Sequence, residues 1–298
     1  MTPTHDSPTP TCHLPLATCQ TGTNPHAAKA LSLGALGKSL WRNRDLIAQM
    51  TRREVVGRYK GSALGLAWSF FNPVFMLVVY TFVFSTVFKA RWGAGGEESK
   101  VQFAVVLFVG MIVHGLFAEV LNRAAGLILA NVNYVKKVVF PLEILPVVAV
   151  GATVFHSLIS LGVLLIVFVL FNGYLHWTAI FAPLVLMPLI LFTLGLAWML
   201  ASVGAFLRDV GQTIGIFTMV MLFLSPVFYP VTALPEKFRP WLMANPLTFI
   251  IEQAREVLIW GHLPNWIGLG GYTLVAIGVA WAGYAWFQKT RKWFADVL

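Results

Sequence analysis

The sequence predicts an all-α integral membrane protein with six transmembrane helices. Of its 298 residues, 58% are hydrophobic and only 11% are charged, and the mean hydropathy is +0.75. A soluble domain averages roughly 45–50% apolar and about 25% charged residues. A water-soluble core of this size could not bury so much apolar surface, whereas apolar stretches of membrane-spanning length account for it.

The first 60 residues divide into a polar tail and a basic amphipathic helix. Residues 1–36 are rich in Thr, Pro, His and Ala without apolar periodicity, which predicts a disordered tail. Cys12 and Cys19 lie there, so neither a disulfide framework nor a metal site is predicted. Over residues 37–60, apolar side chains recur at helical spacing among basic ones. This pattern is typical of an interfacial helix on a membrane, and a solvated helix packed on a partner is the alternative.

Residues 61–290 are predicted to form the transmembrane domain, followed by a C-terminal tail at 291–298. Six apolar stretches in this domain are each near the ~20 residues that a helix needs to cross a ~30 Å hydrocarbon layer. Helices are expected because lipid cannot satisfy free backbone amides. The stretches cover residues 63–88, 101–121, 144–171, 178–207, 213–229 and 266–287.

Lysine and arginine residues indicate the orientation of these spans. Fifteen lie in the N-terminal region, the second and fourth connections and the C-terminus, against six on the opposite side. By the positive-inside rule, both termini lie in the cytoplasm. The formal net charge of +9 is explained by this orientation and not by nucleic acid, because the basic residues flank apolar runs instead of interleaving with aromatic residues.

The connection between the fifth and sixth spans, residues 231–265, is too long for a turn. It contains Asn245 and Pro246, followed by apolar residues at helical spacing with Glu252, Arg255 and Glu256 on other faces. We predict one or two short helices there on the outer, periplasmic side. They are either re-entrant, tucked into the protein, or lie along its surface.

The sequence contains no persuasive catalytic constellation. Residues 32–39 nearly match the phosphate-binding loop G-x-x-x-x-G-K-[ST], but Ser32 replaces the first glycine and no hydrophobic strand precedes it. If the protein uses ATP, another chain must therefore bind it.

Among polar residues near the spans, His114, Glu119 and Arg208 lie near predicted ends, where snorkelling explains them. His156 lies in mid-span and is a candidate to face a pathway or a subunit interface.

Aromatic side chains are concentrated in the first and fifth spans. Flat rings can stack on sugar faces while remaining stable in lipid, so they are suited to line a channel for a long glycan. Aromatic belts that face lipid are the alternative. The candidate channel residues are Trp68, Phe71, Tyr80, Phe84, Phe217, Phe223, Phe228 and Tyr229.

Five motifs in the same order resemble those of polysaccharide-exporting ABC transporter permeases, over about residues 38 to 290. The first runs from Arg58 through Gly65 and Trp68 to Asn72-Pro73 at the start of the first span. The others are Phe206-Leu207-Arg208-Asp209, Ser225-Pro226-Val227-Phe228-Tyr229-Pro230, Leu234-Pro235 and Asn245-Pro246-Leu247-Thr248 with Glu252 and Arg255.

The resemblance implies a permease that works as a homodimer with two copies of a separate ATPase, in the bacterial inner membrane. Such permeases move lipid-linked polysaccharides, such as O-antigen, capsule or teichoic-acid precursors, out across that membrane. No cofactor is then expected on this chain, because ATP and Mg²⁺ bind to the ATPase. The long N-terminal tail departs from the family pattern, and the resemblance gives it no role.

The resemblance also assigns candidate sites. An amphipathic gate helix would precede the first span, and its arginine forks could hold the lipid pyrophosphate or anionic inner-leaflet lipids. Its candidates are Arg52, Arg53, Arg58 and Tyr59. A coupling helix at residues 131–140 would dock on the ATPase, with candidate contacts Asn131, Asn133, Tyr134, Lys136 and Lys137. The outer segment 235–261 would supply periplasmic gate helices, with candidates Asn245, Glu252 and Arg255.

Two other classes remain as alternatives. A membrane enzyme acting on polyprenyl-linked sugars would need acids at a membrane face, for which the outer side offers Glu97, Glu98, Glu236, Glu252 and Glu256. An ion-driven secondary transporter is disfavoured, because the spans contain no series of carboxylates and the two halves of the chain show no repeat.

Overall fold

The computed structural model describes residues 33–83, 100–136 and 140–294. Within these ranges every regular element is a helix. The predicted tail up to residue 32, the channel candidate Phe84, the coupling candidate Lys137 and residues 295–298 lie outside the described residues. So do Glu97 and Glu98, which the membrane-enzyme alternative would use.

The described part of the chain is a bundle of α-helices joined by short turns. The α-helices are α1 (Leu33–Arg42), α2 (Arg44–Gly57), α3 (Trp68–Tyr80), α4 (Lys100–Gly126), α5 (Val132–Lys136), α6 (Ile144–Asn172), α7 (Ala182–Phe206), α8 (Val210–Leu224), α9 (Arg239–Ala244), α10 (Pro246–Arg255) and α11 (Trp266–Thr290). Shorter helical turns lie at Gly65–Ala67, Leu129–Asn131, Trp177–Phe181, Val231–Ala233, Glu236–Phe238, Glu256–Trp260 and Arg291–Trp293.

Five helical stretches among the described residues are long and apolar enough to cross a membrane, judged by length and composition. This number of apolar helices fits a multi-pass membrane protein. The third and sixth predicted spans begin at the first residue of their helices, because apolar runs start there. The five stretches are Gly65–Val83, Gln102–Gly126, Ile144–Asn172, Trp177–Phe206 and Trp266–Trp293.

The predicted fifth span differs from the observed helix. Helix α8 covers Val210–Leu224, whereas the prediction covers 213–229. Ser225 has extended backbone angles (φ −98°, ψ 152°), as expected for a residue that precedes a proline, so the helix stops there although the residues that follow are apolar. Its 15 residues amount to about 22 Å, less than the ~30 Å hydrocarbon thickness.

The predicted amphipathic helix at residues 37–60 is divided into two helices. Asn43 separates α1 from α2, and its side-chain amide donates to the carbonyl of Ser39 at 2.8 Å. Residues 58–64 then form turns that lead into the first span. The near match to a phosphate-binding loop lies largely within α1, where Ser39 Oγ donates to Glu143 at 3.1 Å.

Helix α4 is the most deeply buried of the five candidate spans and contacts α3, α6, α7, α8 and α10. It continues to Gly126, five residues past the predicted end at 121. His114 therefore lies near the middle of this helix and not close to its end as predicted, so snorkelling does not explain it. Instead, the His114 ring nitrogen Nε2 lies 3.0 Å from the carbonyl oxygen of Thr218 in α8.

Helices α7 and α11 approach each other closely at two glycines. A Cβ atom on Gly195 would lie 2.6 Å from the carbonyl oxygen of Val279 and 2.7 Å from Ala280 Cα, and one on Gly283 would overlap the Gly195 carbonyl. A side chain at either position would force the helices apart. Gly278, also on α11, would meet nothing within 4 Å.

We therefore expect Gly283→Leu to destabilise the protein by about 1–3 kcal/mol, the usual cost of overpacking. Gly278→Leu is the matched control, and it should not destabilise the protein, because it replaces a poor helix former by a good one without a clash. Thermal unfolding of the purified protein in detergent, followed by tryptophan fluorescence, measures both. Equal melting temperatures for the two variants would contradict the close approach of α7 and α11.

Candidate functional site

A cavity of about 230 Å³ with polar and apolar lining lies between α3, α4 and α6. It is bordered by Arg58 and Tyr59 from the turn after α2, and by Tyr80 from the channel candidates. Ionisable and hydroxyl groups are unusual in the middle of apolar helices, because exposure to lipid would cost them hydrogen bonds. The other polar lining residues are Ser69, Asn72, Glu119, His156, Ser157 and Ser160.

Two ion pairs join α2 and the turn after it to α4 beside this cavity. Arg58 Nη1 donates to Glu119 Oε1 at 2.6 Å, with the side chains 47% and 25% exposed. Arg123 pairs with Glu54 in α2, and its Nη1 also lies 3.7 Å from Glu119 Oε1. The four side chains carry two positive and two negative charges. Glu119 is thus held by a specific partner, a contact that its position near the predicted span end did not indicate.

His156 lies near the middle of α6, as its sequence position predicts, and lines the cavity. Its ring contacts the edge of the Tyr59 ring at a centroid distance of 5.8 Å and an interplanar angle of 79°. Phe155 contacts it in a similar way at 5.6 Å. These contacts fix the imidazole at the border between the turn after α2 and the cavity.

The candidate coupling segment is divided between residues that contact the rest of the chain and residues that are exposed. Arg53 of α2 donates to the hydroxyl of Tyr134 at 3.0 Å, and the Tyr134 ring stacks on Phe140 at 4.5 Å. Asn131 donates its side-chain amide to the Leu127 carbonyl at 2.8 Å. Asn133 and Lys136 are exposed at the end of the bundle that carries α5, which leaves them accessible to another chain.

A buried polar cluster, which the sequence did not predict, lies beside the coupling segment. Glu143 accepts hydrogen bonds from Ser39 Oγ at 3.1 Å and from Arg291 Nη1 at 2.8 Å. Arg291 also donates to the Phe140 carbonyl at 3.1 Å, and Trp198 Nε1 donates to the Glu143 carbonyl at 3.0 Å. Arg291 begins the predicted C-terminal tail, yet it is buried here. The cluster joins α1, α7 and the end of α11 to the residues that follow α5.

The candidate gate residues of the outer segment hold α10 against the bundle. Arg255 is buried and donates to the carbonyls of Val106 and Val227 at 3.2 and 3.1 Å, and to Glu252 at 2.9 Å. Burial lowers the pKa of Arg255 to about 10, so the guanidinium is still charged at neutral pH. Asn245 caps α10, accepting from the Leu247 amide at 2.9 Å, and donates to Ser225 Oγ at 3.0 Å.

The aromatic channel candidates are divided between α3 and the region of α8, both of which pack on α4. Trp68, Phe71, Phe217 and Phe223 are exposed on the surface of the single chain. Phe228 packs partly buried beside the Phe223 ring at 5.8 Å. The Tyr229 hydroxyl donates to the Phe223 carbonyl at 2.9 Å. Exposed rings on two helices leave an aromatic face for lipid, glycan or a second chain.

Of the remaining arginines, Arg52 is exposed on α2, and within the described residues no ion pair involves it. Arg53 already donates a hydrogen bond to the Tyr134 hydroxyl, and Arg58 donates one to the Glu119 carboxylate. Arg208 is exposed in the turn between α7 and α8. Arg52 is therefore the gate-helix candidate whose guanidinium is most available to bind a phosphate group.

The family model described as ABC-2 type transporter matches residues 45–259. Three relatives illustrate the similarity. The O-antigen export system permease protein of Myxococcus xanthus is 26% identical over 265 residues, which cover 88% of this chain and 99% of the relative. The polysialic acid transport protein of Escherichia coli is 25% identical, covering 80% and 91%. The capsule polysaccharide export inner-membrane protein of Neisseria meningitidis serogroup B is 22% identical, covering 85% and 95%.

Proposed function

The chain belongs to the ABC-2 type transporter family, and we propose that it is the membrane permease of a bacterial polysaccharide exporter. One observation carries the proposal: relatives named for the export or transport of O-antigen, polysialic acid and capsule align with this chain along most of their own length. These names favour export over the membrane-enzyme and ion-driven alternatives. ATP and Mg²⁺ would bind to a separate ATPase subunit, and no cofactor to this chain.

The proposed assembly is a homodimer with two copies of the ATPase, in the inner membrane with both termini in the cytoplasm. Helix α8 supports the dimer, because a predominantly apolar helix of 15 residues is short for a span and oligomerisation is one way in which a short helix is accommodated. Among its residues only Thr218 is buried in the single chain. We propose that α8 is the sixth span and that its rings, with those of α3, line a channel between the two copies.

The substrate would be a lipid-linked polysaccharide. The basic helix α2 would lie along the inner surface of the membrane and meet the phosphate groups of the carrier lipid or of anionic lipids. Arg52 suits this contact best, since its guanidinium is exposed and forked donors match phosphate oxygens.

Helix α2 is also suited to connect the ATPase to the cavity. It contacts α5 through Arg53 and Tyr134, and it contacts α4 through Glu54 and Arg123. ATP binding would favour one arrangement of the ATPase pair, and the docked α5 would pass that bias to α2 and the spans. The coupling must be reciprocal, so bound substrate should change the affinity for nucleotide.

The proposed function is tested by reconstituting the chain with its ATPase in inverted vesicles and supplying a labelled lipid-linked glycan. We expect the glycan to enter the lumen only when hydrolysable ATP is present. Transport driven by an ion gradient without nucleotide would support a secondary transporter instead. Chemical conversion of the lipid-linked sugar by the chain alone would support a membrane enzyme.

Reversing charge in the coupling segment should weaken the ATPase complex. We expect Lys136→Glu combined with Lys137→Glu to reduce the amount of ATPase that co-purifies, because Lys136 is exposed beside the proposed docking surface. A loss of about 1–3 kcal/mol, or roughly 5- to 150-fold in affinity, is typical of like charges placed at an interface. Lys289→Glu with Lys292→Glu, exposed at the end of α11, is the matched control. Full recovery of the ATPase with the Lys136→Glu and Lys137→Glu variant would show that the ATPase docks elsewhere.

A further inference from the structure

Resting on the export function proposed above, we infer that the cavity between α3, α4 and α6 binds one uncharged sugar ring of the exported glycan at a time. Tyr80 of the channel candidates and Arg58 and Tyr59 of the gate-helix candidates border this cavity, but the roles predicted for them do not explain its other polar residues. It lies within a single chain, and its lining combines polar and apolar side chains, although the three helices that enclose it are apolar over most of their length.

The charges beside the cavity favour an uncharged ligand. Arg58 is paired with Glu119, and Arg123 is paired with Glu54, so the ionised groups already neutralise one another. A phosphate at Arg58 would compete with Glu119, which Arg58 Nη1 already contacts at 2.6 Å. Removing the partner of a partly buried charge is costly, and a neutral ligand avoids this cost.

The hydroxyl groups of the lining favour a ligand that both donates and accepts hydrogen bonds. Ser69 is only 5% exposed, and its Oγ has no hydrogen-bond partner among the described residues. Buried hydroxyls are almost always paired, so Ser69 indicates where a polar group of a ligand would bind. Asn72 and Ser157 add further donors and acceptors, and the ring of Tyr59 adds an apolar face. Sugar rings present this combination of hydroxyl groups and C–H faces.

The size of the cavity limits the ligand to a single ring. Its volume of about 230 Å³ is below the ~300 Å³ at which pockets for drug-sized ligands begin. One sugar ring fits this volume, and because the cavity is open to the surface, the neighbouring rings of a glycan would lie outside it.

Gly115 allows the cavity to be filled without disturbing the packing around it. It lines the cavity, and a Cβ atom added there would meet nothing within 4 Å. Gly115→Leu should therefore place its side chain in the cavity, and it also replaces a poor helix former by a good one. Gly278→Leu, in open space on α11, is the matched control. Ser69→Ala removes the hydroxyl and keeps the volume.

The test is saturation-transfer NMR on the purified permease in lipid nanodiscs, with a panel of methyl pyranosides as probes. We expect transfer to at least one pyranoside with the wild type and with Gly278→Leu, and at least a fivefold smaller signal with Gly115→Leu. Ser69→Ala should weaken the affinity about three- to tenfold, the usual effect of one hydrogen bond. Inorganic pyrophosphate should not displace the sugar.

Three results would overturn the inference: no transfer to any pyranoside, an undiminished signal with Gly115→Leu, or displacement of the sugar by pyrophosphate, which would indicate a phosphate site. ATP-driven export by the wild-type complex is measured separately, so that failure of this inference can be distinguished from failure of the proposed function. Export without pyranoside binding would reject the sugar site but support the proposed function. If the wild type binds a pyranoside, Gly115→Leu abolishes that binding, and the complex shows no export, the sugar site is supported and the proposed function is rejected.

Discussion

Replacement of Arg291 by methionine is expected to destabilise the folded chain by about 3–5 kcal/mol and to lower its melting temperature. Arg291 and Glu143 form an ion pair of 2.8 Å whose side chains are only 2% and 0% exposed. The substitution leaves the Glu143 carboxylate buried without the guanidinium, and breaking a buried pair in this way costs about 3–5 kcal/mol. Thermal unfolding in detergent, followed by tryptophan fluorescence, measures the loss.

Two further variants separate this effect from a general response to lost charge. Arg44→Met removes a partner from a pair of 3.8 Å with Asp45 whose side chains are 58% and 82% exposed, so its cost should stay below about 1 kcal/mol. Glu143→Gln combined with Arg291→Met should recover most of the stability, because no ionised group then remains buried in the pair. Equal melting temperatures for Arg291→Met and Arg44→Met would contradict the prediction.

The buried pair also has a mechanical consequence for the coupling segment. Arg291 donates to the carbonyl of Phe140, on whose ring Tyr134 of α5 stacks. Trp198 of α7 donates to the carbonyl of Glu143. A displacement of α5 by a docked ATPase would therefore act on α7 and the end of α11 as well as on α2. Rigid contacts of this kind are needed to carry a small movement at one end of a bundle into the spans.

Hydropathy predicts the spans well where an apolar run coincides with a helix. The predicted spans 144–171 and 266–287 begin where α6 and α11 begin. The fifth span was wrong at its end because hydropathy does not distinguish a helix from extended apolar backbone, and Pro226 follows an extended Ser225. The second span was too short: Arg123 lies past its predicted end at residue 121 and pairs with Glu54, and α4 continues to Gly126.

The sequence could predict polar residues of the candidate sites one by one, but it could not predict which of them contact each other. Arg58 and Glu119 are 61 residues apart in sequence, and Glu143 and Arg291 are 148 apart, so no local pattern connects either pair. His156 was predicted from its position within an apolar run, but the cavity that it borders depends on how α3, α4 and α6 pack. Glu143 did carry one signal, since it is a lone acid directly before an apolar run.

Replacement of Arg255 by leucine is the second large effect that we expect, at about 3–6 kcal/mol. The guanidinium is 1% exposed and bonds two backbone carbonyls, of Val106 in α4 and of Val227 after α8. Leucine would leave both carbonyls buried without this donor, and hydrogen bonds to charged groups contribute about 1.5–3 kcal/mol each. Hydrogen exchange should rise selectively in residues 245–260, because α10 loses its polar attachment to the bundle.

The chemistry of arginine makes this prediction specific. Arg255→Lys should fail to restore stability, because a single ammonium cannot reach three acceptors in the directions that a planar guanidinium serves. Arg239→Leu, also in the outer segment, is the matched control, since Arg239 likewise donates to two backbone carbonyls, of Leu234 and Thr232, but is 40% exposed and its acceptors lie within the outer segment. Rescue by lysine would mean that Arg255 contributes charge alone. Unchanged exchange in 245–260 with Arg255→Leu would mean that apolar packing, and not the guanidinium, holds α10 against α4.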